Sequence, residues 1–162
     1  MVKKILRFLC TKLATRQVAS YGEEFRVNFP CRFTKNTSIG KCCNFNGINV
    51  YGGGSLRIGD YFHSGKRIEI YTDSHNYDKG EAIPYDSTDI YYKVDIGDFV
   101  WFGSDVKVLG NVSIAEGAII QAGSVVVTDI PYCGIAGGNP AKVFKYRDIE
   151  HFEELKKKQK FN

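Results

Sequence analysis

The sequence predicts an all-β fold, a parallel β-helix in which short strands coil around one apolar interior. Three features of residues 96–126 carry that prediction. Apolar residues recur every six positions, at Ile96, Phe102, Val108, Ile114, Ile120 and Val126. A small or β-branched residue stands four positions after each of the first five: Val100, Val106, Val112, Ala118 and Ser124. Gly, Asn, Asp and Ser fill the intervals and suit bends. An α-helix cannot hold a six-residue period, because its 3.6-residue turn does not divide six. Short strands joined by bends can. Three hexads make an 18-residue triangular coil, and stacked coils lie about 4.8 Å apart. Ile96 is then stacked with Ile114, Phe102 with Ile120, and Val108 with Val126, giving a continuous interior.

The remaining elements follow in order. Residues 3–15 read as a helix with Ile5, Phe8, Leu9 and Leu13 on one face and Lys3, Lys4, Arg7 and Lys12 elsewhere. Such a helix either caps the open end of the β-helix or lies on an anionic membrane, and the cap is favoured. An earlier register of hexads runs Val27, Phe33, Ile39, Phe45, Tyr51. It slips by one residue at Gly52-Gly53-Gly54 and resumes at Ile58 and Ile70, with Ser64 a weaker position between. Residues 77–94 break the pattern with Tyr, Pro and acidic residues and read as a loop extruded from the coil. Long loops on rigid scaffolds are often functional. Residues 148–160 read as a helix with an Ile149, Phe152, Leu155 stripe and Glu-to-Lys pairs four apart. The expected organisation is therefore a cap over 1–26, a β-helix over 27–147 with its loop at 77–94, and a C-terminal helix over 148–162.

Composition narrows the function classes. The chain has 162 residues, which fits one domain, and its 22 aromatic residues argue for a packed core rather than disorder. No apolar run approaches the ~18 residues of a membrane span, and no signal peptide is visible. The net charge of +4 divides into basic ends and a mildly acidic middle, which argues against a nucleic-acid binder. Cys10, Cys31, Cys42, Cys43 and Cys133 are odd in number and lack CxxC spacing. They read as reduced thiols of a cytoplasmic protein, with no metal site.

Three segments carry a more specific resemblance: Asp95-Ile96-Gly97-Asp98-Phe99-Val100-Trp101-Phe102-Gly103-Ser104, Gln121-Ala122-Gly123-Ser124-Val125-Val126, and Gly137-Gly138-Asn139-Pro140-Ala141-Lys142-Val143. Together they resemble the hexapeptide-repeat acyltransferases over residues 33–147, most of all the maltose, galactoside and virginiamycin acetyltransferase branch with its polysaccharide O-acetyltransferases. The resemblance implies a left-handed β-helix, a homotrimer with a site in each cleft between subunits, and acetyl-CoA as donor. Ser104 and Ala122 correspond to positions that meet the CoA arm, and their separation of 18 stacks them on one face. Gly103 and Gly123 beside them would let backbone amides approach the ligand. Lys142 and Lys145 correspond to basic positions near the nucleotide phosphates, with a solvated surface as the alternative. Thr128 stands where a phosphate contact is expected, but Val127-Thr128-Asp129 lacks the Lys that follows Thr in many relatives.

Acyl transfer to a hydroxyl needs a base for its proton and donors for the oxyanion. The histidines are His63, His75 and His151. His75, in Tyr71-Thr72-Asp73-Ser74-His75-Asn76-Tyr77-Asp78, corresponds to the family's catalytic histidine, just before the extruded loop. Asp73 would share a strand face with it and could orient it. Tyr77 and Tyr85 in the loop would contact a sugar acceptor. Trp101 is expected near the acceptor end of the cleft, with ordinary packing as its alternative. The expected activity is O-acetylation of a sugar hydroxyl on a polysaccharide or oligosaccharide precursor. The alternatives are a non-enzymatic scaffold or a zinc enzyme of carbonic anhydrase type needing three histidines.

Overall fold

The computed structural model describes residues 2–162. Short strands form three parallel ladders around a single apolar interior. The first face stacks Ser20–Tyr21, Thr37–Ile39, Ser55–Ile58, Lys93–Ile96 and Val112–Ile114. The second stacks Arg26–Val27, Asn44–Phe45, His63–Ser64, Trp101–Phe102, Ile119–Ile120 and Gly134–Gly138. The third stacks Ile48–Tyr51, Ile68–Tyr71, Lys107–Leu109 and Val125–Val126. The chain visits the faces in that order on each coil, as a β-helix requires. The stacking expected from the hexads is present: Ile96 pairs with Ile114, Phe102 with Ile120 and Val108 with Val126.

Interior positions are apolar because each strand alternates and only one side faces inward. Ile96, Phe102, Val108, Ile114, Ile120 and Val126 are fully buried. The interior changes character along the stack. Early coils are filled by Phe25, Phe33, Phe45 and Phe62 in edge-to-face or tilted contacts at 5.3–6.1 Å. Later coils are filled mostly by Ile, Val and Ala, with Phe102 the last interior aromatic, edge-to-face on Phe62 at 5.1 Å.

The early register differs from the sequence reading. Val50, not Tyr51, enters the core, and Tyr51 stacks outside on Tyr71 at 4.9 Å. One residue is missing before Val50 and two are added at Gly52-Gly53-Gly54, so the net slip of one conceals two opposite changes. Coil corners are turned by left-handed residues. Between the first and second faces stand Glu24, Cys42, Tyr61, Phe99, Gly117 and Cys133, all with φ between 53° and 73°. From Cys42 onward, the amide of each donates to a carbonyl of the coil before it. That inter-coil bond offsets the roughly 1 kcal/mol or more that a non-glycine residue loses in this conformation.

The ends are closed differently. Helix α1 (Val2–Thr15) lies against the first coil through buried Cys10 and Ala14. Its Thr11 Oγ1 accepts from the Val27 amide at 3.0 Å, and Gln17 Oε1 accepts from the Phe33 amide at 2.8 Å. Two otherwise open amides of the first coil are thereby satisfied. The face made of Ile5, Phe8, Leu9 and Leu13, expected to pack on the end, points outward. Small residues let the helix backbone approach the coil, and the large ones do not take part. At the other end Ala141–Tyr146 folds back antiparallel on Gly134–Gly138. Helix α2 (Ile149–Lys157), N-capped by Asp148, then runs along the corner of Phe99, Gly117 and Tyr132, with Phe152 against both aromatic rings.

The interruption of the repeat is an antiparallel hairpin thrown out at the corner between the third and first faces. Asp73–His75 pairs with Asp89–Tyr91. The coil closes beneath it: the Thr72 amide donates to Tyr51 O, and the Tyr92 amide donates to Thr72 O, both at 2.8 Å. Residues 93 and 94, counted from the hexads as loop, are already in the coil, and Val94 is fully buried.

Candidate active site

His75 sits on the outgoing strand of the hairpin, with its side chain 58% exposed. Antiparallel pairing sets it directly opposite Asp89. The Asp89 carboxylate lies 3.1 Å from His75 Nδ1, which places Nε2 as the free ring nitrogen. The Tyr85 ring stacks on the imidazole at 4.1 Å and 15°. One carboxylate and one aromatic face thus fix the ring's orientation. Asp73 is not the partner the sequence suggested. Its Oδ2 accepts from the Gly53 amide at 2.9 Å, so its carboxylate caps a turn on the coil before. Residues two apart on a strand share a face, but the bare amide beside Asp73 is the nearer demand. Asp89 could not be found from the sequence, because its place opposite His75 depends on where the hairpin folds back.

The loop that carries Tyr85 is organised by Asp86. Its Oδ1 accepts from the amide and hydroxyl of Thr88 and its Oδ2 from the Glu81 amide. The Thr88 hydroxyl, then the Thr88 and Glu81 amides, hold the Asp86 carboxyl below its ordinary value. Tyr77, by contrast, projects into solvent, 65% exposed.

A second group of predicted residues lies at the corner between the second and third faces. Ser104 and Ala122 stack on successive coils, joined by a 2.9 Å bond from the Gly123 amide to Ser104 O. Gly138 continues the column on the last coil, because Ile120 pairs with Ala136. The column is made of small residues, and Ala122 and Gly123 are exposed. Thr128, grouped with them from the sequence, does not join the column: it is exposed between Val125–Val126 of the third face and Ile130, which bridges to Ile114 of the first, so it lies at the third-to-first corner. The two glycines have different reasons. A Cβ on Gly103 would come within 2.5 Å of the Ala122 amide nitrogen, so coil stacking alone demands glycine there. Gly123 has φ +76° and nothing within 4 Å of its missing Cβ, which leaves open space over its backbone. Lys142 and Lys145 are exposed on the closing hairpin at the end of this face.

Trp101 belongs to the second face and pairs with His63 and Ile119. It is 52% exposed and lines a cavity of about 430 Å³ with His63, Tyr61, Phe99, Arg147 and Phe152. His75 and Asp89 are at the third-to-first corner, whereas Ser104 and Ala122 are at the second-to-third corner. One chain does not bring them together. The three histidines occupy three different elements: the second face, the hairpin and α2.

Burial raises the pKa of Cys31 to about 11 and of Cys43 to about 12, so both stay protonated at neutral pH. Burial also raises that of Cys133. A thiol in that state is a poor nucleophile.

Six stacked coils of hexads, with a hairpin thrown from one corner, define a hexapeptide-repeat solenoid. Comparison with known proteins gives the same class. The bacterial transferase hexapeptide family (six repeats) matches residues 93–128. A Saccharomyces cerevisiae relative, whose name assigns it provisionally to the acetyltransferases, is 34% identical over 120 residues. The match covers 72% of this chain, and the chain spans 59% of that relative's length. A hexapeptide-repeat acetyltransferase of Vibrio cholerae O1 biovar eltor, solved with acetyl coenzyme A, superposes with a TM-score of 0.73 at 28% identity, covering 83% of this chain and 74% of that one. A galactoside acetyltransferase solved with coenzyme A superposes with a TM-score of 0.73 at 26% identity, covering 86% and 71%. The chain thus carries the hexapeptide repeat over residues 93–128 and is similar in sequence and in fold to hexapeptide-repeat acetyltransferases.

Proposed function

We propose that the protein is an acetyl-CoA-dependent O-acetyltransferase acting on a sugar hydroxyl, on a polysaccharide or oligosaccharide precursor in the cytoplasm. The observation that carries this is the His75 imidazole held between Asp89 and Tyr85, with Nε2 left free for a substrate proton. In this reading Nε2 takes the proton of the acceptor hydroxyl as its oxygen attacks the thioester carbonyl. The carbon–sulfur bond breaks, and the departing CoA thiolate recovers the proton from the imidazolium. Asp89 stabilises that imidazolium. The protonated thiols of Cys31 and Cys43 support direct transfer over an acyl-cysteine route.

The donor would lie along Ser104, Ala122 and Gly123, with Lys142 and Lys145 toward its phosphates, and Thr128, at another corner, would not line it. The small side chains of this column fit an extended arm, and the exposed lysines fit anionic groups. Base and donor column sit at different corners, so a homotrimer would complete each site between neighbouring copies. Tyr77 and Trp101 would contact the acceptor, and Tyr85 would hold the imidazole.

Thiol release from acetyl-CoA, measured with a panel of sugar and amine acceptors, tests the reading. His75→Ala is expected to slow transfer by roughly 10²–10⁴-fold with unchanged melting, and His151→Ala to leave it intact. Near-normal rates in a folded His75→Ala protein would overturn the assignment of the base. Reaction with amines alone would overturn the O-acetyl assignment.

A further inference from the structure

Helix α1 meets the body of the molecule with its small side chains and turns its large ones away. Cys10 and Ala14 are buried, whereas Val2, Ile5, Leu6, Phe8, Leu9 and Leu13 are all at least 40% exposed. At 100° per residue, Val2, Ile5, Leu6, Leu9 and Leu13 fall within an arc of about 100°. The midpoint of that arc is about 110° round the helix from Cys10 and Ala14. Capping the first coil therefore accounts for one side of α1 and leaves an apolar stripe uncovered.

The charges beside that stripe are of one sign. Residues 1–18 contain Lys3, Lys4, Arg7, Lys12 and Arg16 and no Asp or Glu. None of the five forms a salt bridge among the described residues. By the same count Lys12 stands about 20° outside one edge of the arc, where its long stem can follow the apolar surface and lift its charge to the rim, whereas Lys3, Lys4 and Arg7 stand about 60–100° outside it and add to the positive field of the helix.

We propose that α1 docks the protein in plane on an anionic lipid bilayer, with Ile5, Leu6, Leu9 and Leu13 in the headgroup–acyl boundary and the basic residues on lipid phosphates. An apolar stripe flanked only by cations complements such a surface. No helix of the described residues is long and apolar enough to cross a membrane, so α1 lies on the bilayer and does not span it. A second copy of this chain is a poorer fit. The copy could offer its own α1 stripe or exposed residues such as Trp101 and Phe144, but none of these brings the negative charge that the five unpaired cations of residues 1–18 call for. The proposal does not depend on the identity of the acceptor.

Vesicle co-sedimentation of the full chain tests it, with phosphatidylcholine vesicles with and without phosphatidylglycerol. The protein is expected to sediment with the anionic vesicles, to stay in solution with the neutral ones, and to be released by salt. Leu9→Asp with Leu13→Asp is expected to abolish sedimentation while melting and solution mass stay unchanged. Lys12→Gln is expected to weaken it roughly fivefold, which keeps the test open should the first variant not fold. Failure of the unaltered protein to sediment with anionic vesicles would overturn the proposal. So would a fall in oligomer mass for the Leu9, Leu13 variant, which would make the stripe a contact between copies.

Discussion

At the scale of single residues, Asp73 and Asp89 separate what sequence proximity suggests from what pairing delivers. Both are acidic and both lie on the hairpin strands, yet one serves a turn amide and the other the imidazole. A hydrogen bond to a charged partner contributes about 1.5–3 kcal/mol. Asp89→Asn is therefore expected to lower kcat by roughly 10–100-fold, with melting nearly unchanged. Asp73→Asn is expected to act the other way round, lowering the melting temperature more than the rate. His75 was legible as a candidate from its segment, and its place on the hairpin matches that segment. Asp89 was not, because no residue spacing states where a loop returns. Gly103 was legible as a required glycine but for the wrong reason, since the next coil and not a ligand occupies its space.

At the scale of elements, the hexads were readable where the interior is aliphatic and less so where it is aromatic. Residues 96–126 keep one period without a break, and every inward position there is buried. In the early coils Phe25, Phe33, Phe45 and Phe62 fill the interior, and a deletion beside an insertion conceals the count. The corners were also hard to read, because five of the six residues turning the first corner are not glycine. Gly117 is the exception, with φ +73° and its missing Cβ directed at Cys133 Sγ, 2.7 Å away. Gly117→Ala is expected to cost about 2 kcal/mol and to lower the melting temperature by about 4–8 °C, measured by calorimetry.

The hairpin loop has its own pH dependence. A carboxyl held below its ordinary value contributes stability that is fully present above the unfolded value, 3.8 for Asp86, and is lost as the pH falls through the lowered one. Asp86→Ala removes the acceptor at every pH. At neutral pH it is expected to open the loop to trypsin at Lys79 without changing global melting, while the unaltered loop resists.

At the scale of the whole molecule, the separation of His75 from the Ser104–Ala122 column decides how the proposed site would be assembled. Because His75 and Ala122 lie at different corners, two inactive proteins should rescue one another. Mixed oligomers of His75→Ala and Ala122→Trp are expected to regain up to about a quarter of full activity by random assembly around a threefold axis. Each variant alone stays inactive. Activity that remains absent after verified subunit exchange would place both groups of a site in one chain. The class of architecture was visible in the sequence because a solenoid repeats its interactions locally. How the proposed site is completed was not, because the one chain leaves His75 and Ala122 at different corners.

The neck beneath the hairpin has a consequence for how such proteins diversify. Thr72 and Tyr92 join across it as consecutive coil positions would, so stacking resumes in phase whatever the chain does between them. The scaffold thus presents a socket: a longer, shorter or chemically different insert meets the same two anchors, and the closure entropy grows only slowly with its length. A change of acceptor would then require new residues in one excursion, with the coils on either side left as they are.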